Sequence, residues 1–139
     1  MCKEYRMLFI LFLALALRAA EARHSFVGGK ESISVDDPEV KNAADTIMRQ
    51  INREYRGERS LILVEIEEGK YQAVAGIKYY LRLRVGESNC RKNKLSPRCK
   101  LDESRPYKAC SATILDQPWI HNTRIEWNCN PYENDDSNE

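Results

Sequence analysis

Residues 36–57 read DDPEVKNAADTIMRQINREYRG, and this stretch decides the fold. Asp36 and Asp37 stand where a helix start wants a side-chain acceptor, and Pro38 sits where the first helical residue tolerates a missing N–H. Val40, Ala44, Ile47, Met48, Ile51 and Tyr55 follow at three- or four-residue steps, save the adjacent Ile47 and Met48, with Arg49, Arg53 and Glu54 on the other side. The spacing predicts an amphipathic helix with one apolar stripe, closed by Gly57. Burying each large side chain of that stripe contributes on the order of 1.5–3 kcal/mol before entropy is subtracted. A helix of this length cannot cover its own stripe, so it needs a sheet or a second helix.

The sheet follows in the sequence. In SLILVEIEEGKY, residues 60–71, Leu61 and Leu63 share a parity with Glu65 and Glu67, which points to Ile62, Val64 and Ile66 as the core face. In GIKYYLRLRVG, residues 76–86, Ile77, Tyr79, Leu81, Leu83 and Val85 alternate with Lys78, Tyr80, Arg82 and Arg84. That is the period of a half-buried strand. PYKACSATIL (106–115) and HNTRIEWNC (121–129) supply two further strands, separated by a turn at DQPW with Pro118. One helix followed by four strands with short connections is an α+β domain, an antiparallel β-sheet wrapped around one long α-helix.

The chain has 139 residues, a size that suits one domain, with 22 Lys and Arg against 21 Asp and Glu. So even a balance gives no electrostatic case for a nucleic-acid partner. Lys3 and Arg6 precede the apolar run MLFILFLALAL (7–17), and Ala20-Glu21-Ala22 has the small-x-small pattern of a signal-peptidase site. Residues 1–22 are therefore expected to be a signal peptide cleaved before Arg23, since the run is too short to span a bilayer. Cleavage removes three basic and two acidic residues, which takes the formal charge from +1 to zero. It implies a secreted, extracellular protein with no membrane association once the segment is gone.

Cleavage also removes Cys2 and leaves Cys90, Cys99, Cys110 and Cys129. An even count in a small exported domain reads as two disulfides. Three pairings are open, of which Cys90–Cys99 with Cys110–Cys129 is the simplest. A zinc site is disfavoured, because there is no C-x-x-C pair and His121 is the only histidine nearby; no metal and no cofactor are expected. CRKNKLSPRCK (90–100) is a basic loop, read as solvated. ENDDSNE (133–139) reads as an acidic disordered tail, which leaves 23–132 as the folded domain. An enzyme is disfavoured as well, since no free thiol, nucleophile motif or phosphate-binding glycine loop is present.

One feature resists the plain sheet reading. Gln72-Ala73-Val74-Ala75-Gly76 bends between the two best strands, yet it is small and apolar where turns are usually polar. Such a tip either folds back on its own domain or forms a narrow wedge that enters a cleft. The pentad resembles the Q-x-V-x-G signature of cystatins, inhibitors of papain-like cysteine proteases. Gly28-Gly29 lies upstream of the helix behind Phe26-Val27, and Pro118-Trp119 lies in the last hairpin, both in that family's order. The four cysteines are spaced much as in its secreted, two-disulfide (type 2) members. The resemblance covers nearly all of residues 23–129.

The resemblance implies a fold and a mechanism. The trunk (Phe26, Val27, Gly28, Gly29), the bend (Gln72, Ala73, Val74, Ala75, Gly76) and the hairpin (Pro118, Trp119) would form one protease-binding edge that plugs the cleft of cathepsin-type enzymes reversibly and without covalent chemistry. A monomer is expected, with hairpin exchange into a dimer left open. Ala73 stands where many members have Val, which reduces contact area. Members that also inhibit legumain use an Asn in an SND context after the helix; here that region reads YRGERSL (55–61), with no Asn. A cystatin-fold carrier, antimicrobial or reproductive protein is the rival, but such relatives commonly lose the wedge residues that this chain keeps.

Overall fold

The computed structural model describes residues 28–94 and 96–133. The expected signal segment, Phe26, Val27 and residues 134–139 of the acidic tail lie outside them. The helix α1 spans Pro38–Glu54, and the Asp37 carboxylate caps it by accepting from the Glu39 N–H at 2.8 Å. Its buried face is Val40, Ala43, Ala44, Ile47, Met48 and Ile51. The helix does not end at Gly57. Tyr55 turns extended at the C-cap (ψ 127°) while its N–H still reaches the Ile51 carbonyl, and its half-buried ring packs against the core.

Five strands form one antiparallel sheet in sequence order: β1 (Glu31–Ser32), β2 (Arg59–Val74), β3 (Gly76–Arg91), β4 (Lys108–Gln117) and β5 (Asn122–Pro131). The short edge strand β1 was not expected from the sequence. It lies against β2, Glu31 opposite Tyr71, and Ile33 N–H continues the ladder to the Gly69 carbonyl at 3.0 Å. The helix packs across one face, where Leu81, Leu83 and Val85 of β3 and Cys110, Ala112 and Ile114 of β4 complete the core. Asn52 joins the helix to β2, accepting from Leu61 N–H at 2.7 Å and donating to the Leu61 carbonyl at 2.9 Å.

The parity expected for β2 is corrected. Leu61 is buried and Leu63 packs against the core, opposite Val85; Ile66, opposite Leu83, also packs inward as expected. Ile62 and Val64 do not belong to the core cluster. Val64 is the extra residue between the Leu63–Val85 and Glu65–Arg84 pairs, and Glu67 is extra between the Ile66–Leu83 and Glu68–Arg82 pairs. Each bulge adds one residue, reverses which parity faces the helix and sharpens the strand's coil around it. The cysteines pair as Cys90–Cys99 and Cys110–Cys129.

Candidate functional site

The bend between β2 and β3 is one residue long. Val74 pairs with Gly76, and Ala75 alone connects them. Gly76 has φ +116°, a backbone conformation that L side chains rarely adopt, and a Cβ there would lie 2.4 Å from the Asp116 carbonyl. The glycine is thus required by the turn and by the approach of β4. Ala73 and Ala75 are exposed, while Gln72 and Val74 are half-buried. Small side chains keep the tip thin and leave its backbone accessible.

The last hairpin lies against this tip. Ile77 pairs with Asp116, and the Gln117 side chain donates to the Ala75 carbonyl at 2.6 Å. Asn122 donates in turn to Gln117 Oε1 at 3.2 Å. Immediately after Gln117 the chain makes a 3-10 turn, Pro118–Ile120, that ends on His121 in the left-handed region (φ 48°). Trp119 is 61% exposed, which removes it from the core; Ile120 and Ile77 are also exposed. Trp127, by contrast, packs on the core and donates its indole N–H to Glu54 at 2.6 Å.

The third segment arrives from the other side of the bend. The Gly28 carbonyl accepts from the Gln72 amide at 2.8 Å, and a Cβ on Gly28 would sit 3.7 Å from the Ala73 carbonyl oxygen. Nothing crowds Gly29 within 4 Å. Gly28, the bend and the Pro118–Trp119 turn therefore share one edge of the molecule, with Gln72 joining the first to the second and Gln117 the second to the third. Sequence reasoning missed Gln117 and also Tyr80, whose hydroxyl donates to Gln72 Oε1 at 2.9 Å. Their roles depend on contacts between strands that local pattern does not report.

Among the described residues the edge offers exposed apolar side chains and backbone groups. Among the described residues no group of three or more His, Cys, Asp or Glu could hold a metal, and no helix is long and apolar enough to cross a membrane. The basic loop closed by Cys90–Cys99 lies at the opposite end of β3 from Gly76, roughly 50 Å along the strand.

A sequence model described as the cystatin domain matches residues 28–119. The chain belongs to the cystatin family. It is 32% identical over 93 residues to Cystatin cpi-1 of Brugia malayi, spanning 65% of this chain and 73% of that relative. It is 28% identical over 120 residues to Cystatin-1 of Chilobrachys guangxiensis, spanning 83% and 89%. The crystal structure of Al-CPI superposes with a TM-score of 0.72 at 26% identity, over 76% of this chain and 100% of that one. Dimeric human cystatin F superposes with a TM-score of 0.68 over 81% and 94%, and at 21% identity it shows the shared fold alone. The family's activity is inhibition of cysteine proteases, so this cystatin is a cysteine-protease inhibitor and not an enzyme.

Proposed function

We propose that this cystatin is a secreted, reversible, non-covalent inhibitor of papain-like cysteine endopeptidases of the cathepsin L, S and B type, and that it plugs their active-site cleft with a three-part wedge. The wedge consists of Phe26, Val27, Gly28 and Gly29 of the trunk, Gln72, Ala73, Val74, Ala75 and Gly76 of the bend, and Pro118 and Trp119 of the last hairpin. The observation that carries this reading is the common edge, on which Gln72 holds Gly28 beside Ala73 and Gln117 holds Ala75 beside the Pro118–Trp119 turn.

Each part has a physical task. The thin Ala73–Ala75 tip enters a narrow groove. Trp119 brings a large rigid surface at low entropy cost, and Pro118 fixes the backbone that presents it. Val27 and Phe26 fill side-chain subsites on the substrate side of the cleft. No peptide bond is offered in the orientation of a substrate, so the inhibitor leaves intact. Because Cys110–Cys129 braces the last hairpin and Gln117 ties it to the first before docking, little ordering entropy is lost, and an interface of about 1,600 Å² can reach nanomolar affinity, about −12 kcal/mol.

The test is titration of papain and cathepsin L with the refolded chain starting at Arg23. Stoichiometric, reversible inhibition at nanomolar concentration is expected, and its absence at micromolar concentration rejects the reading. Intact-mass analysis of the secreted protein tests loss of residues 1–22, and size exclusion tests the proposed monomer.

A further inference from the structure

We propose that Tyr80 is a positioning residue for the N-terminal trunk, setting how readily that trunk enters a protease cleft; this rests on the wedge reading above. Gln72 and Tyr80 are diagonal neighbours on the sheet face away from the helix, since Gln72 pairs with Lys78 and Lys70 with Tyr80. At that separation long side chains meet. The Tyr80 hydroxyl donates to Gln72 Oε1 at 2.9 Å, and Gln72 Nε2 donates to the Gly28 carbonyl at 2.8 Å. The two bonds use opposite ends of one amide. By engaging the oxygen, Tyr80 turns the NH2 group toward Gly28; the flipped amide would set two carbonyl oxygens against each other.

Tyr80 also holds the trunk directly. The Lys30 ammonium lies 4.0 Å from the Tyr80 ring centroid, with Lys78 at 5.2 Å on the same ring. A cation over an aromatic face is attracted to its quadrupole. Gly28 and Lys30 lie two residues apart just ahead of β1, so the two contacts hold one short segment. One tyrosine therefore grips the trunk at two points immediately before β1: at the Gly28 carbonyl through Gln72, and at Lys30 through its ring. Its hydroxyl sits one residue removed from the edge, and it acts by ordering the segment that leads into Val27 and Phe26.

The experiment compares Tyr80→Phe, Tyr80→Leu, Gln72→Ala and Tyr80→Phe/Gln72→Ala in the full mature chain. Tyr80→Phe keeps the ring under Lys30 and loses the hydroxyl bond. Its inhibition constant for papain should rise roughly two- to tenfold, the worth of one neutral hydrogen bond. Tyr80→Leu, which loses both grips, should rise further. The double variant should be no weaker than Gln72→Ala alone, because the hydroxyl acts through that amide. Amide exchange at Glu31–Ile33 should speed up in Tyr80→Phe and Tyr80→Leu while exchange in α1 stays unchanged. Additive losses in the double variant, or unchanged inhibition with unchanged exchange at Glu31–Ile33, would overturn the proposal. If the parent chain inhibits no cysteine protease, the wedge reading falls, and the exchange measurement still decides whether Tyr80 orders the trunk.

Discussion

The Gln117 side chain donates to the Ala75 carbonyl at 2.6 Å across 42 residues of sequence, and so fixes the last hairpin to the single-residue tip of the first. Ala75 is the whole connection between β2 and β3. Gln117→Ala should let the two hairpins drift apart. A loss of about 0.5–1.5 kcal/mol in protease affinity is expected, with little change in melting temperature, because water can solvate the exposed carbonyl. Inhibition assays of the variant beside its thermal melt check both halves.

Trp119 makes the complementary case of a residue that the isolated fold does not need. The residue is 61% exposed and outside the core, so Trp119→Ala removes little buried contact from the free protein. Affinity should nonetheless fall by at least about 1–2 kcal/mol, the range of an anchor residue. Equal affinity in a folded variant would take Trp119 out of the wedge.

The two disulfides should differ in weight. Cys110–Cys129 bridges directly opposed residues of β4 and β5, encloses a separation of 19 residues, and has Cys110 fully buried in the core. Cys90–Cys99 spans 9 residues at the far end of β3. Replacing the first pair by alanine should cost about 2–5 kcal/mol of stability. Replacing the second should cost less, because a shorter loop loses less entropy on closure, and should leave the inhibition constant unchanged. Urea midpoints of the two variants give the order.

What could be read beforehand follows from how local each signal is. Asp37, Pro38 and the Val40–Ile51 stripe lie within one helix and announce it, and the alternation through Leu81, Leu83 and Val85 announces β3. The face of β2 was misread because Val64 and Glu67 are ordinary strand residues; nothing in their identity marks them as extra, and only pairing with β3 reveals the two parity reversals. Strand β1 is two residues long and exists through its ladder to β2, beyond the reach of any periodicity. At the edge, Gly28, the Gln72–Gly76 bend and Pro118-Trp119 were found by motif. Gln117 and Tyr80, which join or orient them, carry no motif because their partners are brought by tertiary structure.

Three tyrosines predict the behaviour of the fold in alkali. Tyr71 donates to Glu31 at 2.5 Å and Tyr132 to Glu67 at 2.8 Å, and in each case the hydrogen bond to the carboxylate is the main cause of a raised hydroxyl pKa. Tyr79 is raised first by burial, then by the charges of Glu39, Asp37 and Asp116. A pKa raised on folding favours the protonated hydroxyl in the native state. The stabilisation is therefore complete below the ordinary tyrosine pKa of about 10 and is lost as pH climbs through the raised values. Stability should hold near pH 8–9 and decline above about 10. Tyr71→Phe, which removes the tie between β2 and β1, should make that decline shallower in denaturation curves taken at stepwise higher pH.

Two glycines of the edge should respond in opposite ways to the same added methyl group. At Gly76 the methyl would lie 2.4 Å from the Asp116 carbonyl on a backbone at φ +116°. Gly76→Ala should destabilise the free protein by about 1–3 kcal/mol or more and weaken inhibition with it. At Gly28 the methyl would meet the Ala73 carbonyl oxygen at 3.7 Å and its Cβ at 3.9 Å, ordinary contact distances. The free fold thus has no steric need for glycine at 28, and Gly28→Ala should melt at the parent temperature. If the trunk passes close to the wall of a protease cleft, the same methyl obstructs docking, and the inhibition constant should rise by tenfold or more, about 1.4 kcal/mol. Parallel melting and inhibition curves separate the two effects. Gly28→Ala inhibiting as well as the parent would place the trunk away from the cleft wall, and the wedge would then consist of the two hairpins alone.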